Sequence, residues 1–358
     1  MFVNPVYLDH AATTPLRPEA RQAWLEGAEI WANPSSPHQQ GRAARASLED
    51  ARERILALLG WDGEIIFTSG ASEAALLAMS NANAEERFVS AVEHDCVLAA
   101  APGAPRLAVM ENGEVDPQRF EQALARANKP LVAIQWFNSE TGVKQDLGDI
   151  VDMVHDAGGL ILSDCAQSVG KYPLPHEVDM AIVAGHKFGG PVGVGALLVR
   201  DYAMLEPAGG QERGYRRGTE NLPGILGMVA ALEVCGVPYV AGGVFEAKAA
   251  LAQQVREAGG VWFGDGFEQQ SVYIDAIAMP GLSASAQLMR FDLAGIAVSQ
   301  GSACSSGSMR PSHVLKAMGV ADELAGRTIR ISIGWTTTAA DIERFAEVWL
   351  AMAQEGAR

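Results

Sequence analysis

Lys187 follows His186 directly after the apolar run DMAIVAG, and Asp164 follows the run LILS. A lysine and a carboxylate at neighbouring strand ends suit pyridoxal phosphate. The amine condenses with the aldehyde, while the carboxylate pairs with the pyridine nitrogen and keeps the ring an electron sink. A buried ion pair beside a turn is the other reading of the two residues. Thr68-Ser69-Gly70-Ala71-Ser72-Glu73, placed after EIIF and before the helical run AALLAM, is a second element of that chemistry. Small residues at a helix start let a phosphate reach free N–H groups, although the same residues also suit an ordinary helix cap with Glu73 as its acid. Finding the turn and the lysine on ends of one sheet favours the cofactor reading.

Further positions belong with these. His94 follows RFVSAVE, where an imidazole can stack on a ring and trade protons, or be merely structural. Asn138-Ser139-Glu140-Thr141-Gly142 follows another strand, within reach of a phenolic oxygen, and Gln167 stands three residues beyond Asp164. Arg330 in RTIRISIGW offers a rigid fork for the carboxylate of an amino acid, with a surface salt bridge as the alternative. Of the four cysteines, Cys304 lies in SQGSACSSGSM, among Gly and Ser with no apolar periodicity. It is the candidate nucleophile, whereas Cys96, Cys165 and Cys235 read as buried and inert.

These residues need a scaffold. EIIFT, RFVSAV, LVAIQWF, LILSD, DMAIVA and GALLV alternate with helical patterns between about residues 64 and 200. Near-continuous apolar runs of this kind predict parallel strands covered on both faces, in a doubly wound, mostly parallel sheet. QDLGDIVDMVHDAGG, with Leu147, Ile150, Val151 and Val154 at helical spacing, supplies a crossover helix. The stretch 208–224 reads as a loop, a helix follows from about Phe245 to Ala258, and a boundary falls at 241–245.

Bulk properties limit the function classes. The chain of 358 residues carries 27 Lys+Arg against 43 Asp+Glu, a net charge of −16, which argues against a general nucleic-acid binder. Met1 to Pro15 lacks signal-peptide character, and no apolar run is long enough to span a membrane. The cysteines are scattered without a C-x-x-C pair, so neither a disulfide framework nor a structural zinc site is expected. The expectation is a cytoplasmic α/β enzyme.

The assembled motifs resemble the cysteine desulfurases of the class V aminotransferase superfamily, in their NifS/IscS group. The ordered matches include YLDHAATTP (7–15), NPSSPHQQGR (33–42), FTSGASEA (67–74), VEHDCVL (92–98), NSETGV (138–143), SDCAQSVGK (163–171), AGHKFGGPVGVGAL (184–197), SQGSACSSGS (299–308) and IRISIGWTTTAADIERF (329–345). The resemblance implies an α/β fold of the aspartate aminotransferase type (fold type I), with a mostly parallel seven-stranded sheet. It implies a large cofactor-binding domain over 15–243 and a smaller α+β domain from 1–14 plus 244–358.

It also implies roles. Lys187 would hold the cofactor, Asp164 the pyridine nitrogen, and His94 the ring face. Gln167, Asn138 and Ser139 would lie near the phenolic oxygen, and Ala71, Ser72, Ala184 and His186 near the phosphate. Thr219 would reach the phosphate from a second subunit, Arg330 and Asn33 would bind substrate, and Cys304 would carry a persulfide. Ala184, Ser139 and Cys165 stand where the family usually has Ser, Asn and Ala. The implied reaction converts L-cysteine to L-alanine in a homodimer that passes sulfur to an acceptor such as an iron–sulfur scaffold or a thiolation pathway. The alternatives are a selenocysteine lyase or another class V aminotransferase, and a non-catalytic homodimeric scaffold.

Overall fold

A computed structural model describes residues 5–236, 239–301 and 312–356. In chain order its strands are β1 (Val6–Tyr7), β2 (Glu64–Thr68), β3 (Glu86–Ser90), β4 (Arg106–Leu107), β5 (Pro130–Ala133), β6 (Leu160–Asp164), β7 (Met180–Ala184), β8 (Gly195–Val199), β9 (Val261–Trp262), β10 (Ile274–Ala278), β11 (Ile296–Ala297) and β12 (Thr328–Ser332). Seven of them form one sheet in the order β2-β8-β7-β6-β5-β3-β4. β8 runs antiparallel to both of its neighbours, and the other pairings are parallel. The expected mostly parallel seven-stranded sheet is therefore present, with a single reversed strand.

Apolar residues that alternate along β7 supply both faces of this sheet. Ala181 and Val183 pack with Ile55, Phe120 and Met228 in one core, while Met180 and Ile182 pack with Leu77, Val97 and Leu205 in another. That two-sided burial is why the strands read as unbroken apolar runs. The helices that cover it include Gln39–Leu59, Ala71–Asn81, Gly148–Asp156 and Leu222–Glu233. The crossover pattern read from Leu147 to Val154 is the helix Gly148–Asp156, with Val151 and Val154 buried.

A third apolar cluster joins Val6 and Leu8 to Val244, Phe291, Ile331 and Trp349. It is organised by an antiparallel sheet in the order β12-β10-β9 and by the short parallel pair β1–β11. The helix expected near Phe245 to Ala258 spans Val244–Glu257. No described helix is long and apolar enough to cross a membrane.

The carboxyl ends of β2, β3, β6 and β7 open toward one place. A polar residue stands at or within four residues of each end: Ser69 after β2, His94 after β3, Asp164 as the last residue of β6 and Lys187 after β7. Open α/β sheets bind ligands at such a crevice because apolar interior gives way there to helix starts and polar side chains.

Candidate active site

Lys187 closes the short 3-10 turn Gly185–Lys187 that follows β7. Its Nζ donates to the carbonyl oxygen of Ala11. Burial and then the Arg330 charge lower its pKa to about 8, with Asp164 opposing them. Asp164 ends β6, is nearly buried, and accepts a hydrogen bond from the Ala166 N–H at 2.9 Å. Both residues line one cavity of about 400 Å3.

His94 enters the same cavity as the cap of the helix Asp95–Ala100. Its Nδ1 accepts from the backbone N–H of Cys96 at 3.2 Å and lies 3.0 Å from Cys96 Sγ. A ring nitrogen that accepts from a backbone N–H bears no proton, so the neutral ring carries its hydrogen on Nε2. Burial lowers the pKa of His94, against Asp164, which raises it. The imidazole is thereby kept neutral, with its Nε2–H as the free donor. His186 pairs with Thr13 Oγ1 at 3.1 Å, and burial pushes its pKa down to about 4.

The turn from β2 into the helix Ala71–Asn81 forms another wall, with Ser69, Gly70, Ala71 and Ser72 exposed to the cavity. Gly70 sits at φ 150°, and a Cβ on Gly195 would fall 2.7 Å from Gly70 Cα. Glycine is thus required at both positions, one by backbone angle and the other by close approach of two backbone segments. Glu73 accepts from the Ser69 N–H and is itself held by Arg216 Nε at 2.9 Å. The capping acid and the small-residue turn therefore coexist. The early N–H groups of a helix lack intrahelical partners, which suits them to an anion.

The remaining donors and acceptors fit pyridoxal phosphate. Gln167 Nε2 donates to Ala11 O at 2.9 Å, while Gln167 Oε1 and both side-chain polar atoms of Gln135 have no partner among the described residues. Buried polar atoms seldom stay unpaired in a finished site, so a polar group is expected to meet them. An amine, a carboxylate, a neutral imidazole and a helix start thus surround one cavity.

A smaller cavity of about 150 Å3 adjoins it, with Ala12, His94, Ser139 and Lys187 in both walls. Arg330, on β12, lines this second space. Its Nη2 donates to Asp9 Oδ1 at 2.7 Å and its Nη1 to the Ser139 carbonyl at 2.9 Å, while Nε has no partner among the described residues. A carboxylate entering there would meet a guanidinium already fixed in place.

Several expected site residues sit differently. Asn138 lines the larger cavity, but its Oδ1 accepts from the Glu140 N–H, the Thr141 N–H and the Thr141 hydroxyl, and its Nδ2 donates to Val92 O. Its Oδ1 is thus committed to holding its own loop, and its Nδ2 ties that loop to the segment after β3. Ser139 lines both cavities and contributes its carbonyl to Arg330. Asn33, Ala184 and Thr219 are in neither wall: Asn33 is exposed and accepts from the Ser35 N–H, Ala184 is buried opposite Gly195, and Thr219 is exposed. Cys304 falls within 302–311, outside the described residues.

Cys165 is buried, and burial pushes its thiol up to about 12. Cys96 is not a core residue, contrary to expectation: it lines the larger cavity beside His94, though burial pushes its thiol up to about 12 as well. Its place two residues after His94, at a helix start, was the available sequence signal. Asp9 and Glu93 also escaped the sequence reading, and Glu140 was given no role of its own within its motif. Glu93 is wholly buried beside His94.

Comparison with known proteins agrees with this geometry. Residues 6–345 match the family described as aminotransferase class V. A cysteine desulfurase from Cereibacter sphaeroides is 39% identical over an alignment of 366 positions, covering 96% of this chain and 94% of that protein. The X-ray structure of a NifS-like protein from Rickettsia africae superposes with a TM-score of 0.88 at 32% identity, covering 98% of this chain and all of that one. A structure of SspA in complex with cysteine superposes with a TM-score of 0.78 at 30% identity, covering 92% of this chain and 99% of that one.

Proposed function

The chain belongs to the class V aminotransferase family, and within it we propose that it acts as a pyridoxal-phosphate-dependent cysteine desulfurase, converting L-cysteine to L-alanine. The observation that carries this reading is the meeting of Lys187, Asp164 and His94 in one cavity that adjoins Arg330. The similarity to a protein solved with cysteine supports the same substrate.

Lys187, Asp164, His94, Gln167, His186 and the Ser69–Ser72 turn would hold the cofactor. When bound, pyridoxal phosphate supplies the electron sink that lets bonds at an amino acid's α and β carbons break. Around it, Asp164 holds a proton on the pyridine nitrogen, and Lys187 Nζ supplies an amine much of which is neutral near pH 8. His94 Nε2 carries its hydrogen toward the site while Nδ1 stays tied to the Cys96 N–H. Arg330 binds the substrate carboxylate with a fork oriented by Asp9 and Ser139.

Cys304, as thiolate, attacks the sulfur of L-cysteine. The new S–S bond forms as the C–S bond breaks, the electron pair passes to the substrate carbon, and that carbon is then protonated to give L-alanine. The sulfur remains on Cys304 as a persulfide for a cytoplasmic acceptor such as an iron–sulfur scaffold.

A homodimer completes the proposal. The helix Pro18–Glu29 and the residues after it leave Trp24, Leu25, Ile30 and Trp31 exposed. A group of large exposed apolar side chains favours burial against another protein surface. Thr219, exposed and away from this chain's own cavity, is free to serve the partner's phosphate.

The test uses the cofactor-loaded protein and L-cysteine. Alanine should appear, and mass spectrometry should place one added sulfur on Cys304. Loss of both in Cys304→Ser is expected, whereas unimpaired alanine formation in that variant would overturn the assignment. Light scattering should give the mass of a dimer.

A further inference from the structure

Gly301 and Ser312 are the described residues on either side of the stretch that contains Cys304. Ser312 bonds to one buried carboxyl, and Gly301 lies against it. Ser312 Oγ donates to Glu140 Oε2 at 2.5 Å. A Cβ built on Gly301 would fall 2.9 Å from that same oxygen and 3.1 Å from Ser312 Cβ. Gly301 has a φ of 21°, so both its backbone and its surroundings disfavour a side chain. The two ends of the cysteine segment therefore converge on Glu140.

Glu140 is well anchored for such a task. Its side of the loop is fixed by Asn138 Oδ1, which accepts from the Glu140 N–H at 2.9 Å and the Thr141 N–H at 3.0 Å. The adjacent Ser139 carbonyl accepts from Arg330 Nη1. Just ahead of Gly301, Ser299 and Arg330 exchange backbone hydrogen bonds at 3.1 and 2.7 Å. One short loop thus touches the substrate-binding arginine and both ends of the segment that bears the nucleophile.

We propose that Glu140 is a positioning residue for sulfur transfer, holding the two ends of the Cys304 segment against the loop that orients Arg330. The proposal rests on the desulfurase reading. Glu140 takes no part in breaking bonds at the α carbon. It fixes where the nucleophile's segment starts and ends, and attack on sulfur is sensitive to small misplacement.

The experiment compares the cofactor-loaded parent with Glu140→Ala and Glu140→Gln. Single-turnover persulfide formation on Cys304 is followed by mass spectrometry. In parallel, the α-hydrogen of L-alanine is exchanged with D2O, a reaction that needs no thiol. Iodoacetamide labelling of Cys304 reports its accessibility independently of turnover.

Glu140→Ala should slow persulfide formation at least about tenfold, change the labelling rate, and leave alanine exchange within about threefold of the parent. Glu140→Gln retains an oxygen that accepts from Ser312 and should restore most of the persulfide rate. An unchanged persulfide rate in Glu140→Ala would overturn the proposal. So would an equal fall in persulfide formation and alanine exchange, which would mark a general structural role. A parent protein that exchanges alanine but forms no persulfide would overturn the desulfurase reading itself, and this proposal with it.

Discussion

Arg330 and Asp9, 321 residues apart in the chain, form an ion pair with Nη2 and Oδ1 separated by 2.7 Å, and the arginine side chain is nearly buried. The carboxylate of Asp9 and the carbonyl of Ser139 each take one end of the guanidinium, so its plane is set before substrate arrives. Such preorganisation lowers the ordering cost of binding.

Removing Asp9 should therefore weaken substrate binding more than chemistry. In Asp9→Ala the KM for L-cysteine is expected to rise about tenfold, equivalent to about 1.4 kcal/mol, with kcat within about threefold. Arg330→Lys, which replaces a planar fork with a point charge, should lower kcat/KM about a hundredfold. Steady-state kinetics at one pH decides this. A KM for Asp9→Ala at or below the parental value would mean that Asp9 competes with substrate instead of preparing its site.

Lys187 should take up cofactor at an unusually low pH for a lysine. Burial and Arg330 bring its pKa down from 10.5 to about 8. About a tenth of the amine is then neutral at pH 7, compared with well under a thousandth for an ordinary lysine. The visible band that borohydride removes should grow into cofactor-free protein at a rate that climbs toward pH 8 and levels off above it. Arg330→Ala deletes a neighbouring positive charge and should move that profile to higher pH. Lys187→Ala should never develop the band. A parental rate still rising steeply at pH 9.5 would contradict the lowered pKa.

Some of this site was readable from the chain and some was not, for physical reasons. Lys187, Asp164 and His94 stand directly after apolar runs, and two-sided burial makes such runs locate strand ends, where ligands bind. The Asp9–Arg330 pair and the convergence of Gly301 and Ser312 on Glu140 depend on contacts across hundreds of residues, for which periodicity carries no signal. Asn138 shows a different limit. Its type suited a ligand contact, but three hydrogens within its own loop reach its oxygen first. Cys96 was assigned to the core because free cysteines are commonly buried, yet the cap formed by His94 turns it to the cavity wall. The reversed strand β8 was equally invisible, since apolar runs do not reveal direction.

Lys171 should cost stability in a pH-dependent way. It is nearly buried, with its Nζ 5.5 Å from the centre of the Tyr239 ring. Burial first, and then the charge of Lys187, lower its pKa from 10.5 to about 7. Between those two values the unfolded chain holds a proton that the native protein lacks, so this group makes stability rise with pH. Its full penalty, on the order of 4 kcal/mol, applies below about pH 7. Lys171→Met should therefore exceed the parent in stability most at pH 6 and converge with it toward pH 10. Urea denaturation across that range measures the difference, and a constant offset would sink the assignment.

Glu93 presents the opposite slope and a sharper test of its role. Its side chain is fully buried, Oε2 accepts from the His94 N–H at 3.2 Å, and Oε1 has no partner among the described residues. Burial, then the charge of Asp164, raises its pKa well above the usual carboxylate range. As pH climbs above the unfolded value, the native protein keeps a proton that the unfolded chain releases. Stability from this group therefore falls by about 1.4 kcal/mol per pH unit until the native pKa is reached. Glu93→Gln keeps the size and neutrality of the protonated acid but cannot titrate. The variant should match the parent near pH 4.5 and gain on it steadily toward neutrality, while kcat/KM and cofactor content at pH 7.5 stay within about threefold. A catalytic base at this position would behave otherwise: its conversion to an amide would cost about a hundredfold or more in kcat and leave the stability profiles parallel.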